Sequence, residues 1–305
     1  MNVGKTVPLV ITCCTKRKRG STNPNLRARL LDAGSASEVA SSWSLRVGGV
    51  PPEMRARDLY AGRGHVEALR TAEHVHGQLA IISAGLGLVD GDTSVPVYSL
   101  TTSSRDPDDV RLKTASDRPA WWAAIQQVSP FPTVRPQHTD GLILAAVSSA
   151  YLDMIATEWS QWPSTQLLRL RLFSKAPPAG LAAKLLSAWM PYDDRLDDVA
   201  SGLAGTQGDF AQRAMRHFAT TITSGSPDDD AAAVRAVLEP IPHRAKPVNQ
   251  RLESSAIKVA IRRDWEIARG QSSIMLRHLR DTLGLACEQG RFKTLFNEVK
   301  AETSS

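Results

Sequence analysis

Cysteine is scarce in this 305-residue chain, with Cys13, Cys14 and Cys287 its whole complement, two adjacent and one distant. That spacing excludes a disulfide framework. No Cys or His pair stands near a second pair at ligand spacing, so no zinc site and no other metal is expected. No apolar run reaches the roughly 20 residues that span a bilayer, so no membrane partner is expected. The apolar segment Val7–Cys14 is too short for a leader and runs into Lys16-Arg17-Lys18-Arg19 where small residues would mark cleavage, so it reads as a buried strand of a cytoplasmic protein. The dinucleotide fingerprint G-x-G-x-x-G is missing, and no cofactor is expected. No Ser-His-Asp arrangement can be assembled. The seven histidines are scattered, and His65, His74 and His76 read as helix-surface residues.

What is present is an ordinary globular balance, 42% hydrophobic and 22% charged. The net charge of +6 is unevenly placed. Between Arg244 and Lys300, 12 Lys or Arg stand against 6 Asp or Glu, while the remaining 25 cations and 25 acids cancel. A basic tail on a neutral body points to a polyanion, and nucleic acid, DNA rather than RNA, is the expected partner. A solvated basic helical face is the other reading of the same charges.

Short β-branched runs at Val7–Cys14, Leu79–Ser83 and Gly141–Val147 alternate with helical patterns at Gly64–His76, Trp121–Val128, Ser149–Trp159 and Gly208–Thr221. Alternation of this kind predicts an α/β, Rossmann-like, open and mostly parallel sheet with helices on its faces. Leu167–Phe173 alternates Leu and Arg and reads as an edge or half-exposed strand, and Val89–Arg105 as a long loop or edge segment. Ser224–Asp230 and the proline-containing Pro240–Gln250 read as breaks. The expected division is therefore a ligand-binding domain over 1–224, a linker over 225–250 and a small all-α basic module over 251–305. No internal repeat is visible.

In open α/β sheets ligands bind outside the carboxyl ends of the strands. Three ends are candidates. Cys13 and Cys14 run into Lys16 and Lys18, where hydroxyl, thiol and backbone N–H groups can hold an anion that a lysine neutralises. Ser83, Gly85 and Gly87 form a glycine turn that permits close backbone approach. Ser148 and Ser149 open a helix, either as its cap or as anion ligands. Asp58, Tyr60, Asp92 and Tyr98 follow in the connecting loops, the acids as candidate bases or nucleophiles and the tyrosines as stacking or proton-donating groups. Thr206-Gln207-Gly208-Asp209 opens a later helix and reads as its cap. In the tail, Arg262, Arg263, Arg269, Arg277, Arg280, Arg291 and Lys293 form the expected phosphate-binding surface. They lie on helices whose apolar stripes (Ile257, Ile261, Trp265; Met275, Leu279, Leu283; Phe292, Leu295, Phe296, Val299) would pack together.

Three stretches occur in order: T-C-C-T-K-R-K at 12–18, A-R-D-L-Y-A-G-R-G-H at 56–65, and I-I-S-A-G-L-G-L-V-D-G-D-T-S-V-P-V-Y-S-L at 81–100. Together they resemble an uncharacterised bacterial and archaeal family marked by S-C-S-K-T-K and S-A-K-Y-G-L-L. More distantly they are similar to the peroxide-stress YaaA proteins and to the core of the archaeosine synthases. The resemblance covers about residues 7–103. It implies association with DNA and a nucleotide or nucleobase pocket, with base-modifying or glycosidic-bond chemistry. Carried over by position, it marks Cys13, Lys16, Asp58, Tyr60, Ser83, Gly87, Asp92, Pro96 and Tyr98. Lys16 would then stabilise a phosphate or leaving group and Asp58 or Asp92 would act as base or nucleophile. The first motif aligns in two registers, so Lys16 and Lys18 compete for one role. Gly85 and Leu86 replace the family's lysine and tyrosine, and Val97 separates Pro96 from Tyr98. The reading carried forward is a nucleic-acid-associated protein with a nucleotide or nucleobase pocket. The rivals are a small-molecule nucleoside- or nucleotide-processing transferase and a non-catalytic adaptor.

Overall fold

The structure is a computed structural model that describes residues 6–103, 106–199, 202–243 and 250–303. The chain forms two compact units, Met1–Pro242 and His243–Ser305.

The first unit is built on a five-stranded sheet: β1 (Leu9–Cys13), β2 (Gln78–Ser83), β3 (Gly87–Asp90), β4 (Ile143–Ala146) and β5 (Leu170–Phe173). Their order is β3-β2-β1-β4-β5, and all pairs are parallel except β2 with β3. The expected open, mostly parallel α/β sheet is therefore present. All five residues of β1 are buried, as the apolar run Leu-Val-Ile-Thr-Cys requires of a central strand covered on both faces.

Helices α1 (Ala36–Gly48), α2 (Arg63–His74), α3 (Arg118–Val128), α4 (Ser149–Trp159), α5 (Phe210–Thr221) and α6 (Pro227–Leu238) surround it. α2 and α5 pack on each other, α2 over β1 and α5 over β4 and β5, while α1, α3 and α4 pack in sequence as another layer.

Three expectations need correction. β5 is an edge strand yet none of its residues is exposed, because Arg171 points into the interior, where its guanidinium pairs with the equally buried Asp230. Charge alternation imitates a solvent face, but a buried ion pair satisfies it as well. Residues 89–103 are not all loop, and the edge alternative holds at Val89 and Asp90, which end β3 at the edge of the sheet. The chain reverses as β3, and Ser94–Val95 then pairs with Met54–Arg55. The expected linker contains α6, whose Val234 and Leu238 lie in the core of the first unit, so that unit runs on to Pro242. The linker's 244–249 stretch lies outside the described residues.

The second unit is helical, with α7 (Ser254–Arg263), α8 (Ser272–Arg277) and α9 (Gln289–Thr303), and a turn of π-helix at His278–Thr282. It is not purely α, since Gln250–Arg251 pairs with Leu285–Ala286. The anticipated stripes meet as its core: Ile257, Ile261, Met275, Leu279, Phe292, Leu295, Phe296 and Val299 are buried, with Trp265 and Leu283 against them.

Candidate functional site

From β1 the chain crosses to β2 on one side, and later returns to place β4 on the other. The strand order therefore reverses between β1 and β4, and a crevice opens outside their carboxyl ends. It holds a cavity of about 540 Å3 floored by Cys13, Cys14, Val147 and Ser148 and walled by residues 62–65 and 206–212.

Three helices begin at this cavity: α2 behind Gly62, α4 behind Ser148 and α5 behind Asp209. None has a side-chain cap. Elsewhere in the unit the chain does supply caps, Ser35 on α1, Asp117 on α3 and Ser226 on α6. Each helix leaves its first N–H groups without intrahelical acceptors and carries about +0.5 of an elementary charge at that end. Three such ends supply roughly +1.5.

The packing that gathers them is readable in two residues. Gln212, in the first turn of α5, donates from Nε2 to the Thr12 hydroxyl at 3.1 Å and to the Ala146 carbonyl at 3.5 Å, tying α5 to β1 and β4. Gly64 lets the first turn of α2 approach, since a Cβ there would lie 3.1 Å from the Gln212 amide oxygen.

The acid at this end is neutralised. Asp209 Oδ1 accepts from Arg213 Nε at 2.6 Å and from the Thr206 amide at 2.9 Å, and Arg213 itself is buried. Lys175, exposed on the cavity rim, has no ion pair among the described residues. His65, expected on a helix surface, is buried, because α5 covers this side of α2. Its Nε2 donates to the Arg57 carbonyl at 2.7 Å, and burial lowers its pKa, so the ring is neutral with a lone pair on Nδ1. That Nδ1 is buried without a partner. Burial pushes the Cys13 thiol well above its ordinary range, the N–H of Ser148 only partly opposing it, so Cys13 is a neutral core group.

A second lobe of about 300 Å3 shares Cys14, Thr15 and Tyr151 with the first and adds Lys16, Lys18, Tyr98 and Asp106. Cys14 Sγ is hydrogen-bonded to the Tyr151 hydroxyl at 2.8 Å. Lys18 Nζ stands 4.5 Å from the Tyr98 ring centroid and 5.8 Å from that of Tyr60. Those rings are fixed by a hydroxyl chain, Tyr60 to Tyr98 at 2.8 Å and Tyr98 to Ser83 at 2.6 Å. Burial raises the pKa of both tyrosines and of Tyr151. Lys16 is exposed and paired with Asp106 at 2.6 Å. Of the two registers for the basic motif, the structure turns Lys18 inward and Lys16 outward.

Of the residues marked in the sequence, Cys13, Cys14, Lys16, Lys18, Tyr98, Ser148 and Ser149 line one lobe or the other. Ser148 occupies the N-cap position without capping. Tyr60 and Ser83 stand behind Tyr98 as supports. The glycine turn serves side chains rather than a ligand. A Cβ on Gly85 would come within 2.6 Å of the Tyr98 ring, and Gly87 adopts φ +79° where β3 turns back.

Asp58 and Asp92 line neither lobe. Asp58 pairs with Arg55 at 2.8 Å and Asp92 with Arg57 at 3.1 Å. The reversal of β3 explains Asp92: β3 runs antiparallel to β2 and delivers Gly91 beside Leu79, at the amino end of the sheet. Residues that the sequence reading passed over complete the cleft: Gly62, Arg63, His65, Tyr151, Lys175 and Gln212. Gly62, Arg63 and His65 fall within the second motif quoted above but were not marked by it, and the helix-opening Thr206–Asp209 segment was read as a cap.

In the second unit, Arg277, Arg280 and Lys293 line a groove of about 510 Å3 over Phe292 and Phe296. Arg277 and Lys293 have no ion pair among the described residues, and Arg280 donates to the Cys287 carbonyl at 2.7 Å. The other four cations stand apart from the groove. Arg262 pairs with Glu302 at 2.7 Å and Arg263 with Asp264 at 2.8 Å. Arg291 donates to the Leu252 carbonyl at 3.0 Å, and Arg269 ends a helical turn in the left-handed conformation. Of the seven expected residues three line the groove, while acids hold Arg262 and Arg263, a carbonyl holds Arg291, and Arg269 lies outside the lining.

No described helix is long and apolar enough to cross a membrane. Comparison with family models, with characterised protein sequences and with solved structures returns no match, so the resemblance drawn above rests on its three short motifs alone.

Proposed function

We propose that the first unit binds a phosphate-bearing small molecule, a nucleotide or the phosphorylated end of a nucleic acid, in the cleft between β1 and β4. The observation that carries this is the convergence of three uncapped helix N-termini on one cavity while the other three α-helices of more than one turn in the same unit are capped by their own side chains. Uncapped N–H groups at the end of a helix dipole form an anion site. Their summed partial charge, roughly +1.5, matches a phosphate monoester of about −1.5 to −2 at neutral pH. Both lobes fall in the size range of small-molecule sites, about 300–1,000 Å3. The adjoining lobe gives the organic part of the ligand a place to lie beside Tyr98, Tyr151 and Lys18.

Titration calorimetry with a nucleoside monophosphate, its nucleoside and inorganic phosphate tests the reading. The nucleotide binds, phosphate competes, and the nucleoside is much weaker. Equal binding of nucleoside and nucleotide would sink it.

The groove of the second unit supports a further role for that unit, holding a nucleic-acid backbone on Arg277, Arg280 and Lys293. Backbone contacts of this kind give affinity without sequence preference. If the full-length protein binds duplex and single-stranded DNA no better than a neutral control does at about 50 mM salt, where phosphate contacts are still strong, that role is lost.

A further inference from the structure

Lys18 is the one cation of the basic loop that turns into the protein. Backbone hydrogen bonds on either side of it, from the Arg19 amide to the Leu59 carbonyl at 2.8 Å and from the Ala61 amide to the Arg17 carbonyl at 3.0 Å, hold the loop against the segment that carries Tyr60. The side chain must then lie over the two tyrosine rings, which Ser83 and the missing Cβ of Gly85 keep in place. Among the described residues no carboxylate pairs with the Lys18 amine and no acceptor bonds it, whereas Lys16, two residues away, has Asp106. Lys18 is half-buried, its amine against aromatic faces at the wall of a cavity that shares Cys14, Thr15 and Tyr151 with the anion lobe.

We propose that Lys18 is a nucleophilic amine that forms an imine with the carbonyl carbon of a phosphorylated aldehyde or ketone whose phosphate sits on the three helix N-termini. This rests on the anion-binding reading of the first lobe and adds the substrate class to it. The neutral amine adds its lone pair to the carbonyl carbon while the carbonyl π pair moves to oxygen. The alkoxide takes up one of the two nitrogen protons to give a neutral carbinolamine; a second proton on that oxygen lets water leave as the nitrogen lone pair forms C=N, and the nitrogen gives up its remaining proton. One water leaves and no electrons are gained or lost. Tyr151, whose hydroxyl is bonded to Cys14 Sγ at 2.8 Å, lines both lobes and is assigned the proton relay to the departing oxygen.

Burial lowers the Lys18 pKa, favouring the neutral amine. Cys14, Asp106 and Asp108 act in the opposite sense without overcoming it, and Tyr60 and Tyr98 face the amine as neutral phenols. Desolvation is the recognised way in which a lysine becomes nucleophilic near neutral pH.

Pyridoxal 5′-phosphate is a suitable probe, carrying an aldehyde and a phosphate on one small ring. The full-length protein is treated with it, reduced with borohydride and mapped by peptide mass spectrometry. The adduct is expected on Lys18 in excess over the exposed Lys16 and Lys175, since its lowered pKa leaves more free amine. Excess inorganic phosphate, or pyridoxal in place of its phosphate, should suppress it. Lys18→Arg, which keeps a cation over Tyr98, should lose the adduct while inorganic phosphate still raises the melting temperature. Labelling spread over surface lysines without phosphate dependence overturns the proposal. So does an unmodified Lys18 in a protein that binds phosphate, and in that case the anion site stands. If phosphate neither binds nor protects, both readings fall.

Discussion

The anion sites proposed for the two units draw on different sources of charge. The first unit buries Arg213 against Asp209 and Asp197, and Arg171 against Asp230. Its proposed site rests mainly on backbone, three helix ends whose partial charges add nothing to the net charge, with Lys175 on the rim. The second unit uses side chains, with Arg277 and Lys293 exposed on a groove and unpaired among the described residues. Net charge by segment therefore points to the second unit and is blind to the first.

The comparison is broken most severely at Arg213. Arg213→Met leaves Asp209 and Asp197 without their buried partner. It is expected to cost about 3–5 kcal/mol, read as a lower denaturant midpoint, and to weaken cleft binding because the Asp209 carboxylate at the start of α5 then keeps only the more distant Arg63, at 3.7 Å, as its cation. A variant of unchanged stability would show that the buried arginine is dispensable.

Next in size is the arginine–carboxylate pair at Asp108. Burial raises the pKa of this group, but hydrogen bonds from Arg29 and Ser99 outweigh it and bring the carboxyl from 3.8 to about 2. A carboxylate with a depressed folded pKa stabilises the fold above its unfolded value. Its contribution, on the order of 2 kcal/mol, is present above about pH 4 and is lost as pH falls towards 2. Urea midpoints measured at pH 6 and pH 3 should differ less in Asp108→Asn than in the wild type.

Ser149→Glu supplies a carboxylate to the uncapped start of α4. It should raise stability by about 0.3–1 kcal/mol while weakening nucleotide binding at least tenfold, opposite signs that separate a vacant anion site from a merely weak helix end. Loss of stability and affinity together would count against the site.

Salt sharpens the contrast further. Duplex binding through the second unit should fall with a slope of about −0.9 in log affinity per phosphate neutralised, and Arg277→Gln with Lys293→Gln should flatten it. Nucleotide binding in the partly enclosed cleft should respond less steeply, since buried interactions are screened less than exposed ones. The smallest effect is expected at Asp92. Asp92→Asn removes only surface pairs with Arg57 and Arg55 and should change stability by under about 0.5 kcal/mol with no change in ligand binding. A large loss of binding there would restore Asp92 to the site.

Much of this was legible from residue patterns. The apolar runs of β1, β2 and β4 placed three strand ends, and the stripes of Ile257, Met275 and Phe292 placed the core of the second unit, because burial of apolar surface acts at every position of such a run. Cys14, Lys18 and Ser148 were found for the same reason, since they follow those strands immediately. What the pattern could not convey was direction and pairing. Strand propensity is the same for a parallel and an antiparallel neighbour, so nothing local announced that β3 would reverse and carry Asp92 to the far end of the sheet. An Arg in alternation reads as solvent-facing until its partner, Asp230, is brought from 59 residues away. A helix start without a cap looks in sequence like a poor helix start. Only the packing of α2 on α5, and of both on the sheet, put Gly62, Ser148 and Asp209 around one cavity, because that juxtaposition is a property of long-range contacts and not of any segment.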